Sequence, residues 1–350
     1  MEKGKQENKL NWTNNLRVLA TISVIFLHVS GQILGLYGSV SSFVWWTGNI
    51  YDGSLRFCVP VFVMLTGALL LPKKYELKDF LIKRFSRIIL PFLFWSCVYI
   101  LFALNVKFTQ AITMNALEIG TFVFDLFRMG ASAHLWYIYM VIGLYLFIPI
   151  LSKWVQNCNE KEILYFLIIW GIAILLNQPF LEKFNTEVDL SYFSDFIGYL
   201  VLGYYLSIKK FNFSHKTIQI GSFLLFFVGI TITILGTYFL TFKEGKFNEY
   251  FYDYLSLNTL IASIGIFVLF KNWTFTNSIG LKIIDFIGKY SYGIYLVHVL
   301  ILQFLSKSGM DYSFMNPIFS IPLTSLTCLF LSTFIVYFLN KLPFCSYISG

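Results

Sequence analysis

Charge is scarce in this 350-residue chain: Lys, Arg, Asp and Glu together make up 13% of it, about half the share of a soluble globular domain. That shortage excludes an ordinary water-soluble fold. Strand-type alternation is missing too, which leaves helices rather than a barrel to satisfy backbone hydrogen bonds in lipid. Cysteine is sparse and scattered. Cys58, Cys97, Cys158, Cys328 and Cys345 form no CxxC pair, so they read as packing residues and not as a metal site or a disulfide framework. No GxGxxG or P-loop supports a nicotinamide or ATP pocket, and no HxxxH spacing supports a metal. The first apolar run is too long for a cleavable signal peptide, and no A-x-A site follows it. With no internal repeat, low-complexity linker or soluble insert, residues 1–350 read as one integral membrane domain.

What is present is apolar length. Hydrophobic residues are 57% of the chain, with 39 Phe and 22 Tyr, more apolar faces than one water-soluble core can take. A membrane span needs about 20 residues at 1.5 Å rise each. The expectation is an all-α polytopic helix bundle of about ten spans: 16–37, 45–71, 87–105, 135–152, 162–177, 192–207, 217–240, 255–271, 286–306 and 317–339. With the amino terminus inside, 19 of the 26 Lys and Arg fall on the cytoplasmic side and 7 outside. That asymmetry supports cytoplasmic termini. The net charge of +8 then follows from topology and implies no nucleic-acid partner. The longest outer connection, 106–134, has room for an interfacial or re-entrant helix between 108 and 127.

Ionisable groups at membrane depth are costly and are functional suspects. His28 lies eleven residues after Arg17. The two share a helix face to within about 20° and stand about 16 Å apart along the axis. His28 is either a catalytic histidine near mid-membrane or one bonded to a neighbouring helix. Counting back from Leu71 puts Arg56 about 22 Å from the inner face, close to the depth of His28. Asp52 is one turn earlier and within pairing reach, and Pro60 should bend the helix. The alternative is an arginine snorkelling to the outer interface. Arg84 and Arg87, in Lys83–Arg84–Phe85–Ser86–Arg87, are either positive-inside anchors or a phosphate clamp; spacing does not separate these. His134 opens the fourth span beside Trp136 and Tyr137. An interfacial aromatic belt accounts for those two rings but not for the histidine. His298 should also lie near mid-membrane.

Taken in order, these segments resemble the acyltransferase-3 family of integral membrane acyltransferases. Asn15–Leu16–Arg17 with His28 is similar to its first-span motif. Ser54–Leu55–Arg56–Phe57–Cys58–Val59–Pro60–Val61–Phe62 with Gly67 is similar to its second. Arg84 to Arg87 with Pro91, His134–Leu135–Trp136–Tyr137, and Gly293–Ile294–Tyr295–Leu296–Val297–His298 resemble the later signatures. The matches run from residue 15 to about 302. The likeness is strongest to the subgroup containing the O-acetyltransferase of enterobacterial common antigen. Many members have Asp where this chain has Asn15, so Asn15 is given no acid–base role.

The resemblance implies a bacterial inner-membrane enzyme. It would move an acyl group, usually acetyl, from cytoplasmic acyl-CoA to a hydroxyl of an envelope glycan or glycolipid. Acetyl-CoA is a co-substrate in that reading, and no permanently bound cofactor or metal is implied. His28 becomes the catalytic base or acyl carrier and Arg56 an oxyanion stabiliser. Arg17, Arg84 and Arg87 become donor-binding, and His134, Trp136 and His298 substrate-binding. His28 and Arg56 should then line one cavity opening toward Arg84 and Arg87. The rival class is a transporter or flippase of a lipid-linked glycan, which buried His and Arg also suit. No pair of symmetry-related broken helices supports it.

Overall fold

The computed structural model describes residues 2–110, 114–128, 130–176, 178, 195–273, 278–343 and 345–350. Among them are helices and no strand. In chain order the helices are α1 (Glu2–Leu34), α2 (Ser42–Gly53), α3 (Cys58–Leu70), α4 (Leu77–Thr109), α5 (Ala116–Arg128), α6 (Trp136–Asn157) and α7 (Glu160–Leu176). They continue with α8 (Asp195–Ile208), α9 (His215–Glu244), α10 (Leu257–Lys271), α11 (Ser278–Lys289), α12 (Ser291–Lys307) and α13 (Pro317–Lys341).

Seven segments are long and apolar enough to cross a membrane: Asn11–Leu34, Ser42–Leu70, Leu77–Thr109, Ala133–Asn157, His215–Glu244, Tyr250–Lys271 and Pro317–Lys341. The chain is therefore a multi-pass helical membrane protein. The other three expected spans fall on shorter helices: α7 with 17 residues, α8 with 14 and α12 with 17. Positions 177 and 192–194 of those spans, and Lys183, lie outside the described residues.

Two spans differ from the sequence expectation. The second is not one helix. It breaks at 54–57 between α2 and α3, and Pro60 sits in the first turn of α3. A first-turn proline is tolerated because its missing N–H would have no acceptor within the helix. Backbone groups in the break are satisfied locally: Ser54 N–H reaches Ile50 O, Leu55 N–H reaches Asp52 O, and Cys58 N–H reaches Leu55 O. Such pairing is required of any non-helical backbone at membrane depth. The expected span 286–306 is likewise divided, with Tyr290 capping α12 and separating it from α11. The amphipathic α11 keeps Ile279, Ile283 and Phe286 exposed, as suits a helix lying in the interface. In the long connection, α5 buries no residue at all.

α1 is the hub, touching α2, α3, α10, α11, α12 and α13. One face (Leu16, Ala20, Val24, Leu27) belongs to a cluster shared with α3, α8 and α10. Another (Ile25, Val29, Ile33) packs with α4, α12 and α13. His28 stands at the seam between these clusters. α3 and α8 approach at backbone contact: a Cβ on Gly67 would lie 1.8 Å from Leu200 O, and one on Gly203 would lie 2.0 Å from Met64 O. Only glycine permits that approach, the usual device for close helix packing in lipid.

Candidate active site

Three histidines from distant parts of the chain converge. His28 on α1 and His298 on α12 have ring centroids 5.1 Å apart. His134, in the short 3-10 turn before α6, is 5.1 Å from His298 and 6.2 Å from His28. The turn is set by Gly130 and Ala131, both at positive φ. Tyr99 closes one side, with its ring 5.2 Å from His134. Its hydroxyl donates to Leu296 O and accepts from Leu300 N–H, which pins it to α12. Tyr295 closes another side by donating to His134 O.

These bonds constrain the ring protons. His298 Nδ1 lies 2.6 Å from Tyr295 O. A carbonyl can only accept, so Nδ1 carries the proton and Nε2 holds a lone pair. His298 Nε2 is buried and has no hydrogen-bond partner among the described residues, and the same holds for His134 Nε2. Buried polar atoms are nearly always satisfied, so these two orphaned imidazole nitrogens, on rings 5.1 Å apart, are unusual and each can accept a further hydrogen bond. His134 Nδ1 is 3.0 Å from Ser132 Oγ, where either group can donate.

The cluster sits between cavities. A chamber of about 40 Å³ is lined by His28, His134, Trp136, Tyr137, Tyr254 and Tyr295, with Cys58, Val59, Phe62 and two α1 leucine/valine side chains, Leu27 and Val24. It shares Phe62, Tyr137 and Tyr295 with a larger cavity of about 260 Å³. That cavity holds Arg17 and Arg84 together with Thr66, Tyr145, Ser291 and Tyr292. Neither guanidinium makes an ion pair among the described residues. Two guanidiniums lining one largely apolar cavity without a carboxylate suit an anion carried on an apolar molecule. Arg87, one turn on in α4, is exposed and is not among the residues lining these cavities.

Arg56 departs from the expectation of a shared cavity with His28. The break at 54–57 turns its side chain back to Asp52, with Nε donating to Oδ1 at 2.5 Å and a second nitrogen completing the ion pair. The guanidinium also lies over the Tyr252 ring at 4.2 Å and near the Tyr254 ring at 5.9 Å. Asn49 extends the network by accepting from the Tyr252 hydroxyl at 2.5 Å. Asp52 is fully buried. Tyr254 also forms part of the chamber wall and stacks on Trp136 at 5.8 Å. Arg56 thus stands behind the wall and does not line the chamber. Sequence reasoning missed Asn49, Tyr252 and Tyr254, since no spacing distinguishes three residues among so many aromatic and polar ones, and it quoted Tyr295 within a motif without giving it a role.

Among the described residues no group of three or more His, Cys, Asp or Glu is arranged to hold a metal ion. A family model described as an acyltransferase domain matches residues 10–339. No curated protein and no solved structure is similar enough to count as a match.

Proposed function

The chain belongs to the acyltransferase-3 family matched over residues 10–339, and on that premise we propose that it is an O-acyltransferase of the bacterial inner membrane. It takes an acyl group, acetyl by preference, from cytoplasmic acyl-CoA and gives it to a hydroxyl of an envelope glycan or glycolipid. The observation that carries this reading is that the Arg17–Arg84 cavity and the chamber of His28 and His134 are adjacent, with Phe62, Tyr137 and Tyr295 in the walls of both. A CoA phosphate binds at the arginines, and the thioester reaches toward His28. The small volume of the chamber supports a short acyl group. The strongest motif likeness, to the enterobacterial common antigen subgroup, supports a polysaccharide acceptor.

In the proposed step the acceptor oxygen bonds to the acyl carbon while its proton passes to His28. The carbon–sulfur bond then breaks, and His28 returns the proton to the departing CoA thiolate. In the covalent variant His28 itself bonds to the acyl carbon, CoA leaves as the thiol, and the acceptor hydroxyl then displaces the imidazole. His134 and His298 hold the acceptor in place. Arg56 lends positive charge across Tyr254 to the oxygen that becomes negative. A chamber of about 40 Å³ is too narrow, as it stands, for a glycan to pass, which disfavours the flippase reading.

The test is CoA release by the purified protein in nanodiscs supplied with acetyl-CoA and membrane extract as acceptor. Wild-type protein should consume the thioester and His28→Ala should not. An absence of acceptor-dependent CoA release from the wild type would return the transporter reading to first place.

A further inference from the structure

α11 docks on α1 by its polar edge. Asp285 accepts from Asn14 Nδ2 at 2.7 Å, and a Cβ on Gly288 would lie 2.2 Å from Asn14 Oδ1. The opposite edge is apolar and open. Ile279, Ile283 and Phe286 are 70%, 56% and 44% exposed, and helical periodicity sets them on one face within about 60° of each other. Lys282 and Lys289, both exposed, are seven residues apart. They flank that stripe on the same side, within about 20° of each other. A short amphipathic helix of this kind lies at the boundary between headgroups and acyl chains, with its lysines reaching up to the headgroups.

The end of α13 completes the patch. The Phe286 ring is 5.3 Å from that of Tyr290 and 5.6 Å from that of Tyr337 in α13, and the two tyrosine rings are 6.1 Å apart. A lysine lies over each tyrosine: Lys289 Nζ is 5.3 Å from the Tyr290 centroid, and Lys341 Nζ is 4.5 Å from that of Tyr337. Neither ammonium forms an ion pair among the described residues. Asp285, one turn before Lys289, is bonded to Asn14 instead. Two cations on one aromatic cluster beside an apolar stripe match a glycerophospholipid. The ammoniums suit its phosphate, the tyrosines the headgroup level, and the apolar side chains the first methylenes of its acyl chains. The patch lies at the arginine end of the bundle, because Ser291 and Tyr292, directly after Tyr290, line the arginine cavity.

We propose that the junction of α11, α12 and α13 binds one anionic phospholipid of the surrounding bilayer, its phosphate held between Lys289 and Lys341 and its acyl chains lying along Ile283 and Phe286. The lipid fastens α11 to α13 at the point where α12 enters the wall of the arginine cavity. Lys282 faces neighbouring headgroups along the same edge of α11.

Native mass spectrometry of the full chain, with phosphatidylglycerol and phosphatidylcholine of matched acyl chains added in equal amounts, reads the preference. Each lysine beside an anionic headgroup contributes roughly fivefold in affinity. The wild type should therefore hold one phosphatidylglycerol roughly 25-fold more tightly than phosphatidylcholine. Lys289→Gln and Lys341→Gln, at exposed positions, should each weaken phosphatidylglycerol about fivefold, and the double variant should bind the two lipids alike. Lys243→Gln, exposed in the last turn of α9 and away from this cluster, should leave the preference unchanged. Excess inorganic phosphate at matched ionic strength should not displace the lipid, since it has no chains to lie on α11. No preference in the wild type, an undiminished preference in the double variant, or an equal loss in Lys243→Gln would each overturn the proposal. Displacement by phosphate would overturn it too, and would make the lysine pair a site for the free anion.

Discussion

The imidazoles of His28 and His298 lie 5.1 Å apart, yet only one of them has its proton assigned by the surrounding backbone. His298 Nδ1 is committed to Tyr295 O, so in the neutral ring its Nε2 holds the lone pair, buried and without a partner among the described residues. His28 makes no side-chain hydrogen bond among the described residues and is the ring with freedom to gain and lose a proton.

His28→Ala is therefore expected to lose the roughly 10²- to 10⁴-fold typical of a positioned base while the protein still folds. His28→Gln keeps polarity without proton affinity and should be nearly as inactive. His298→Asn retains a donor toward Tyr295 O but no second nitrogen, and should raise the acceptor KM more than it lowers kcat. Steady-state kinetics with detergent-stable protein checks both. A His28→Gln variant at wild-type kcat, alongside an inactive His298→Asn, would transfer the base role to His298.

The arginines divide by position. Arg17 and Arg84 line one cavity, whereas Arg87 does not. Charge-assisted contacts contribute about 1.5–3 kcal/mol, so Arg17→Ala and Arg84→Ala should each weaken acetyl-CoA binding roughly 10- to 100-fold. Arg87→Ala should change it less than about threefold. Calorimetric titration with acetyl-CoA decides. Equal losses at Arg84 and Arg87 would mean that the donor binds across the exposed face of α4 and not in the cavity.

Helical rise made depth legible in the sequence, and depth was enough to set His28 and His298 at similar levels in separate spans. Rise says nothing about which way neighbouring helices face, so the meeting of three histidines was not readable. Arg56 shows the limit from the other direction. Its depth was counted along a continuous 45–71 helix, and the pairing with Asp52 follows i,i+4 spacing. The break at 54–57, however, rotated the side chain toward Tyr252 and Tyr254, residues almost two hundred positions later. The hydropathy of α8 marked it as a membrane helix, but its backbone contact with α3 depends on Gly67 and Gly203 meeting across the interface, and no one-chain pattern pairs them.

The basic asymmetry predicts sidedness. Reporter fusions near Lys78, just before the arginines of α4, should report a cytoplasmic location. Fusions near Glu118, in the exposed helix α5, should report the opposite face. The Lys78 site is the more informative, because it lies six residues before Arg84 and the proposed donor, acyl-CoA, is cytoplasmic. An external signal there would separate the arginine cavity from its donor.

The Asp52–Arg56 pair separates a structural role from an electrostatic one. Removing one partner of a buried ion pair costs about 3–5 kcal/mol, because the other charge is left uncompensated. Arg56→Gln alone should accordingly lower thermal stability sharply, since Asp52 is fully buried and its Oδ2 already has no hydrogen-bond partner among the described residues. Combining Asp52→Asn with Arg56→Gln removes both charges while keeping polar side chains, and should restore most of that stability. If Arg56 also stabilises the developing oxyanion across Tyr254, the double variant should keep its acetyl-CoA affinity while kcat stays at least about tenfold low, a loss of about 1.4 kcal/mol of transition-state stabilisation. Arg56→Lys retains the charge but not the planar fork that meets Asp52 and the tyrosine ring, and should fall between wild type and double variant in kcat. Wild-type kcat in the stable double variant would show that the pair only braces the break between α2 and α3, leaving the oxyanion to the hydroxyls of the chamber wall.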